Sequence, residues 1–485
     1  MSATGYLPST GAIGWGRRTL RVKWGFAEAY LLGLTILPAL LYLPGTQRLR
    51  VPIRIAPFAL SLVALGLWFG KARKRHPAYP WIALAITYCA LMILHPTTNS
   101  MLSGAAQTML YAAIAAPVFW APALVSDPQR LQRLLAILLC CNGANAVVGI
   151  LQVYDPDRWL PKEFSIISER SLTGILTYEG DDGKKVVRPP GLSDQPGAVS
   201  GPATVAAIIG VIFATTPGIG AVRRMGALGV GLAGAASVYL CHVRSGLIIL
   251  VGSLTVYMMV LYIIREQRRA LLIFMIGALL LTTGLASAVI LGGSTVVERF
   301  STLIEGDPIT VYNRSGRGDM LQIAFGDYLM KYPFGAGLGR WGMMRTYFGN
   351  PWNSFSPMIW AEIQYAAWIL DGGVVLLGAY GIALLVTIRR EWKIARGCPD
   401  PRVRALGAAV IAINIGVLAL TFSYVPFVAP IGAQYWFLTG ALHGAATMGG
   451  LRKVDPSLHF SMATHGLARA RDVQPRGDHV TGSRR

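Results

Sequence analysis

Of the 485 residues, 53% are hydrophobic and 14% charged, against roughly 25% charged in an average soluble domain. The formal net charge is +21, yet no basic stretch is combined with the aromatic or groove-fitting elements that nucleic-acid recognition needs. Composition therefore excludes an ordinary soluble domain and predicts an all-α polytopic membrane protein, its cations directed at anionic headgroups.

Residues 1–24 form a basic tail with Arg17, Arg18, Arg21 and Lys23. No small-residue cleavage site follows the first apolar run, so no removable signal peptide is expected. Apolar runs centred near residues 35, 61, 87, 112, 142, 207, 233, 254, 281, 374, 414 and 439 predict about 12 transmembrane helices in one domain over 25–450. Between them, basic residues crowd into alternate connections: the N-terminal tail, 71–75, Arg130 with Arg133, Arg223-Arg224, 265–269, 389–404 and the C-terminal tail. The positive-inside rule makes these segments cytoplasmic and puts both termini there. Arg48, Arg50 and Arg54 depart from the pattern locally.

The opposite side then carries two long segments, about 154–198 and 293–359, where function is expected on a rigid helical scaffold. Residues 451–485, with little apolar periodicity, are expected to be a disordered tail. Cys89, Cys140, Cys141, Cys241 and Cys398 have no evident partner outside the membrane, so neither a structural disulfide nor a thiolate metal site is predicted.

The motifs follow in chain order. Glu28 is expected to pair with Arg21 or Lys23. Asp155-Pro156-Asp157 and Glu179-Gly180-Asp181-Asp182 tempt a metal assignment, but the second resembles a solvated hairpin tip more than a ligand set. Arg188, in VVRPPGLSDQPG, and Arg244, in CHVRSG, sit at span edges, where a cation is either functional or snorkels to water. Between 315 and 341 the chain reads SGRGDMLQIAFGDYLMKYPFGAGLGRW. Its glycines have the wrong spacing for a nucleotide loop and predict a tight turn after Pro333. Asp319 is predicted to be a helix N-cap with Gln322 in the capping box, which puts Arg317 just ahead of the helix. Glu362 and Asp371 open the span WAEIQYAAWILDGG, either as a partly desolvated proton acceptor or as interhelical hydrogen-bond partners. His95, His242 and His443 are single and read as satisfied bundle residues rather than metal ligands.

Five pieces of the chain then fall in a recognisable order: GILQVYDPDRWLP (149–161), RPPGLSDQPGAVSG (188–201), CHVRSGLIILVG (241–252), GRGDMLQIAFGDYLMKYPFGAGLG (316–339) and AEIQYAAWILDGGVVLLG (361–378). In this order and topology the chain resembles the bacterial O-antigen ligase and polysaccharide polymerase superfamily. The resemblance implies a GT-C type glycosyltransferase of the bacterial inner membrane. Such an enzyme moves a glycan from an undecaprenyl-pyrophosphate carrier to an acceptor at the periplasmic face, inverting the anomeric carbon and using no nucleotide sugar, metal or other cofactor. The bilayer and polysaccharide-assembly proteins are the implied partners.

Carried over by position, the resemblance implies that Arg188, Arg244 and Arg317 hold the pyrophosphate, with Glu362 as general base. Arg340, Arg345 and Asp371 are candidate substrate contacts, and Trp341, Tyr347 and Trp352 are candidates for stacking on sugar rings. Many ligases carry a histidine with an asparagine where this chain has Glu362-Ile363, which shifts the expectation toward polymerisation of O-antigen or exopolysaccharide repeats. Ligation to lipid A core or a protein is the competing enzymatic reading. A transporter or flippase is the reading from another class, and it predicts charges at span midpoints rather than at one edge.

Overall fold

A chain segment in hydrocarbon has to satisfy its own backbone N–H and C=O groups, so long apolar runs fold as helices. The computed structural model describes residues 24–43, 45–160, 177–179, 185–193, 197–305, 310, 312–313 and 316–449. Within them the main helices are α1 (Phe26–Ile36), α2 (Arg50–Trp68), α3 (Tyr79–Met92), α4 (Met101–Ala115), α5 (Pro117–Leu124) and α6 (Pro128–Tyr154). After a small hairpin come α7 (Ser200–Thr215), α8 (Ala221–Leu240), α9 (Arg244–Ile263), α10 (Gln267–Gly292), α11 (Ser294–Glu305), α12 (Arg317–Gln322) and α13 (Gly342–Phe348). The last three are α14 (Gln364–Gly397), α15 (Pro401–Ala419) and α16 (Pro430–Gly449).

Each of the twelve predicted centres falls inside a helix. Among the described residues, 7 helices are long and apolar enough to cross a membrane, α4 and α5 counting as one through Pro117. Phe26–Tyr42, Tyr79–Met92 and Ser200–Thr215 are apolar but shorter. The chain is therefore a multi-pass, all-α membrane protein. Almost all of the basic tail and all of residues 451–485 lie outside the described residues.

The closest packing is of α7 against α8, α8 against α10, α14 against α3 and α15, and α5 against α16. Aromatic rings fill the centre. Trp120 meets Tyr30 edge to face at 5.1 Å, and Trp368 stacks on Tyr380 at 4.9 Å, geometries that follow from the ring quadrupole. Three helices are also tied by one carboxylate. Glu391 Oε1 on α14 accepts from Asn414 Nδ2 on α15 and Thr439 Oγ1 on α16, each at 2.6 Å, as expected where water cannot compete.

Two local features sharpen the sequence reading. Glu28 pairs with Arg130 on α6, at 2.7 Å, and also accepts the Gly25 N–H, so it clamps α1 to α6; Arg21 and Lys23, its expected partners, lie outside the described residues. Helix α12 starts one residue after Gly316, which takes the left-handed conformation and caps without a side chain. Asp319 is thus the third residue of the helix, where its charge faces the N-terminal dipole. Arg317 is the first. A π-helical segment, Ile323–Tyr328, then continues α12. Met320 and Ala324 are buried while Phe325 is exposed.

Helix α14 is broken. Gly373 sits at φ 57° and ψ −145° inside it, which frees the backbone groups on either side. The loop that follows Pro333 supplies the missing partners: Ala336 N–H donates to Leu370 O at 2.6 Å, and Val374 N–H donates to Pro333 O at 2.8 Å. The turn predicted from the glycine-rich stretch is therefore a plug in a helix break, with Gly337 at φ 84° pressed on the Thr97 and Thr98 backbone.

Candidate functional site

Arg188 is presented by a short arm. Strands Thr177–Glu179 and Lys185–Val187 pair antiparallel, as the hairpin reading predicts; the tip, 180–184, lies outside the described residues. Beyond Arg188 the chain turns through buried Pro189 and Pro190 and docks on α6 through side-chain amides. Gly191 N–H donates to Gln152 Oε1 at 2.8 Å, Gln152 Nε2 donates to Gly191 O at 2.9 Å, and Leu192 N–H donates to Asn145 Oδ1 at 2.9 Å. Gln152 Nε2 also donates to the Tyr42 hydroxyl at 2.6 Å. A buried glutamine thus imitates a strand edge for the loop. Proline flanks leave few backbone donors there, so side chains have to supply the pairing.

Arg244 opens α9, and the turn before it is unusual. His242 is buried at φ 53°, a conformation rare for a residue with a side chain. It is held by a reciprocal clasp with α11: Arg299 Nε donates to His242 O, and Arg244 Nε donates to Arg299 O, both at 3.2 Å. Arg188 belongs to the same cluster. Burial first, and then the Arg299 and Arg317 guanidiniums, lower its pKa from the usual arginine range, with Cys241 acting the other way. Burial, followed by Arg299 and Arg188, pushes His242 down to about 4. The imidazole is therefore neutral at pH 7, and the positive charge of the cluster comes from its arginines.

Among the described residues, the Arg188 and Arg317 side chains donate no hydrogen bond and pair with no carboxylate, and Arg188 Nε is shielded from solvent. Two guanidiniums held near others without acceptors make a place for an anion. Close in sequence to Arg244, α7, α9, α15 and α16 enclose a narrow crevice of about 30 Å³. Ser200, Thr204 and Ser245 are among its polar lining, and Ile249, Val417 and Ile431 belong to its apolar lining. Ser245 follows Arg244 in sequence, and the backbone at Gly197, three residues before Ser200, passes beside the Arg188 guanidinium.

Glu362 lies two residues ahead of α14, half-buried, and its carboxylate has no hydrogen-bond partner or ion pair among the described residues. Its neighbour Ile363 packs on Met320 and Ala324, the helix and continuation that Arg317 begins. The structure thus brings Arg188 and Arg317 into one cluster with Arg244 and Arg299, and places Glu362 at the helix that carries Arg317.

The remaining predicted residues are placed differently. Asp371 is fully buried and accepts from Trp341 Nε1 at 2.9 Å, Tyr111 OH at 2.7 Å and Gln107 Nε2 at 3.0 Å. Arg340 is also buried and donates to Ala336 O at 2.9 Å and Pro357 O at 3.3 Å; Arg345 donates to Ser356 O at 3.0 Å. These three, with Trp341, stabilise the loop ahead of α14, and their polar groups are engaged by protein. The Tyr347 hydroxyl is enclosed without a hydrogen-bond partner among the described residues. Trp352 is exposed.

Three positions carry no role in the sequence reading: Arg299, Gln152 and Asn145. Arg299 looks like a rim cation in VVERF, and the amides look like tolerated polar residues in a span. The only available signal is that two amides seven residues apart share a helix face. No protein-family model matches the chain, and no curated protein matches it either.

Proposed function

We propose that the chain is a membrane glycosyltransferase of the O-antigen ligase and polysaccharide polymerase type, joining lipid-linked repeat units of O-antigen or exopolysaccharide. The observation that carries this reading is the group of arginines, one of which, Arg244, adjoins Ser245 in the lining of a largely apolar crevice. Among the described residues Arg188 and Arg317 have no side-chain acceptor, and the crevice that Ser245 helps to line is mostly aliphatic. That pairing suits an amphiphile with a polyanionic head and a hydrocarbon tail, as a polyprenyl-pyrophosphate carrier is.

In the proposed reaction a hydroxyl of the acceptor sugar attacks the anomeric carbon of the carrier-linked glycan. The new C–O bond forms as the bond to the pyrophosphate oxygen breaks, with inversion, and the carrier leaves as its pyrophosphate anion. Arg188, Arg244 and Arg317 hold the developing charge, the kind of fixed electrostatic stabilisation that supplies much of enzymatic rate enhancement. Glu362 takes the hydroxyl proton; its lack of an ion-pair partner leaves it available for that task. Arg299 enters this reading as the residue that fixes Arg244. The alternating basic segments orient the loop-bearing end toward the periplasm of a bacterial inner membrane, with both termini in the cytoplasm.

The test is complementation of a deletion strain. Loss of polymerisation leaves single repeats on the acceptor, whereas loss of ligation leaves bare core with accumulated lipid-linked polymer. An exopolysaccharide polymerase leaves the lipopolysaccharide ladder intact while polymer yield falls. If Arg188→Ala, Arg317→Ala and Glu362→Gln all restore wild-type chain length and yield, the proposed site is wrong.

A further inference from the structure

The segment 349–361 reads GNPWNSFSPMIWA and contains no charged residue. It holds the two most exposed large apolar side chains among the described residues, Trp352 at 90% and Phe355 at 86%. Slack in the backbone does not account for them. Asn99, 3% exposed, ties the segment down: its Nδ2 donates to Asn350 O at 3.0 Å and Ser356 Oγ at 2.9 Å, and its Oδ1 accepts the Asn350 N–H at 2.6 Å. The Asn99 carbonyl accepts from Asn353 Nδ2 at 2.9 Å. Two local turns then aim the aromatics outward, with Trp352 N–H donating to Asn350 Oδ1 at 3.0 Å and Phe355 N–H donating to Asn353 Oδ1 at 3.1 Å. Large apolar groups held rigidly in the open mark an interaction surface.

The location indicates the occupant. Asn99 lies in the turn between α3 and α4, flanked by the exposed side chains of Leu94, Met101 and Leu102. Met101 and Leu102 begin a helix long and apolar enough to cross a membrane, so the tip continues a lipid-facing belt. Tryptophan at that level is the usual interfacial anchor. The turns also satisfy the backbone N–H groups of Trp352 and Phe355 internally, which immersion at the edge of hydrocarbon demands. We propose that residues 350–360 form a lipid-docking tip that seats Trp352 and Phe355 in the bilayer leaflet at the α3–α4 end. This assigns Trp352 to lipid rather than to a sugar ring. It also fixes the height of the segment leading to Glu362, and it is independent of the glycosyltransferase reading.

The experiment uses the full chain in nanodiscs of phosphatidylcholine and phosphatidylglycerol, with Cys140, the exposed cysteine, changed to Ser. Spin labels are attached to single cysteines introduced as Trp352→Cys, Phe355→Cys, Leu102→Cys and Asp319→Cys, and their accessibility to oxygen and to a water-soluble nickel chelate is compared. Labels at 352 and 355 are expected to match 102, with oxygen favoured over nickel; a match to 319 overturns the proposal. Dipolar broadening between copies, or protection of the labels by a soluble oligosaccharide, overturns it in favour of self-association or sugar binding. A second measurement keeps Trp352 native: brominated lipid should quench wild-type fluorescence more than that of Trp352→Phe. An equal quenched fraction in both proteins also overturns it.

Discussion

The indole N–H of Trp341 donates to the buried carboxylate of Asp371 at 2.9 Å, joining the loop that plugs the helix break to α14 itself. Tyr111 and Gln107 on α4 complete the carboxylate's shell, so one side chain gathers two helices and a loop. Asp371→Ala leaves three buried donors without an acceptor, at a cost of about 1–3 kcal/mol per group. Thermal unfolding in detergent is expected to show Asp371→Ala far below wild type and Trp341→Phe in between. Equal melting temperatures would remove the carboxylate from the loop's support.

Gly337 and Gly373 are expected to tolerate no side chain. A Cβ at Gly337 would lie 2.6 Å from Thr97 C and Thr98 N, and one at Gly373 would lie 2.0 Å from Pro333 O, both at positive φ. Backbone contacts of that kind cannot relax by rotating a side chain. Gly373→Ala should therefore reduce folded yield in the membrane, whereas Gly378→Ala, in open space on the same helix, should behave as wild type in size-exclusion profile and melt.

Arg299 is expected to act through Arg244 and the His242 turn. Arg299→Ala should lower polymer yield by about 10- to 100-fold on an oxyanion-type scale of roughly 10²–10³ for a direct contact. Arg299→Lys, which keeps charge but loses the planar fork, should recover little of it. Full recovery by lysine in the complementation assay would mean that charge alone matters there.

Gln152→Ala removes both bonds that dock Gly191 on α6. Each is worth about 0.5–1.5 kcal/mol net, so the bundle should stay folded while the Arg188 arm loosens. Limited proteolysis between 188 and 198 is expected to accelerate in this variant with the melting temperature shifted by only a few degrees; an unchanged cleavage rate would count against the docking role.

His242 gives a pH dependence with a defined sign. Its folded pKa of about 4 lies below the ordinary 6.5, so the unfolded chain takes up a proton first as the pH falls. The stability that depends on a neutral His242 is present above about 6.5 and is lost as the pH falls toward 4. His242→Asn removes the titration and suits the left-handed backbone. Denaturant melts from pH 7 to 4 should show a shallower acid decline for this variant than for wild type.

The apolar runs by themselves determine the helices, because backbone hydrogen bonding leaves a segment in hydrocarbon no other choice; every predicted span centre is helical for that reason. The cations at 188, 244 and 317 are legible too, since a charge at a span edge stands out against an apolar background. Only the tertiary structure decides what they meet. Arg299 becomes relevant through a contact with His242 made 57 residues away in sequence, and Gln152 through a loop 39 residues on. The same holds for Asp371, whose place near a predicted site suggests a ligand contact while its three donors come from α4 and the 341 loop. The glycine-rich turn is readable as a turn, but its duty in the break of α14 is not, because a backbone partner leaves no mark on the residue types that provide it.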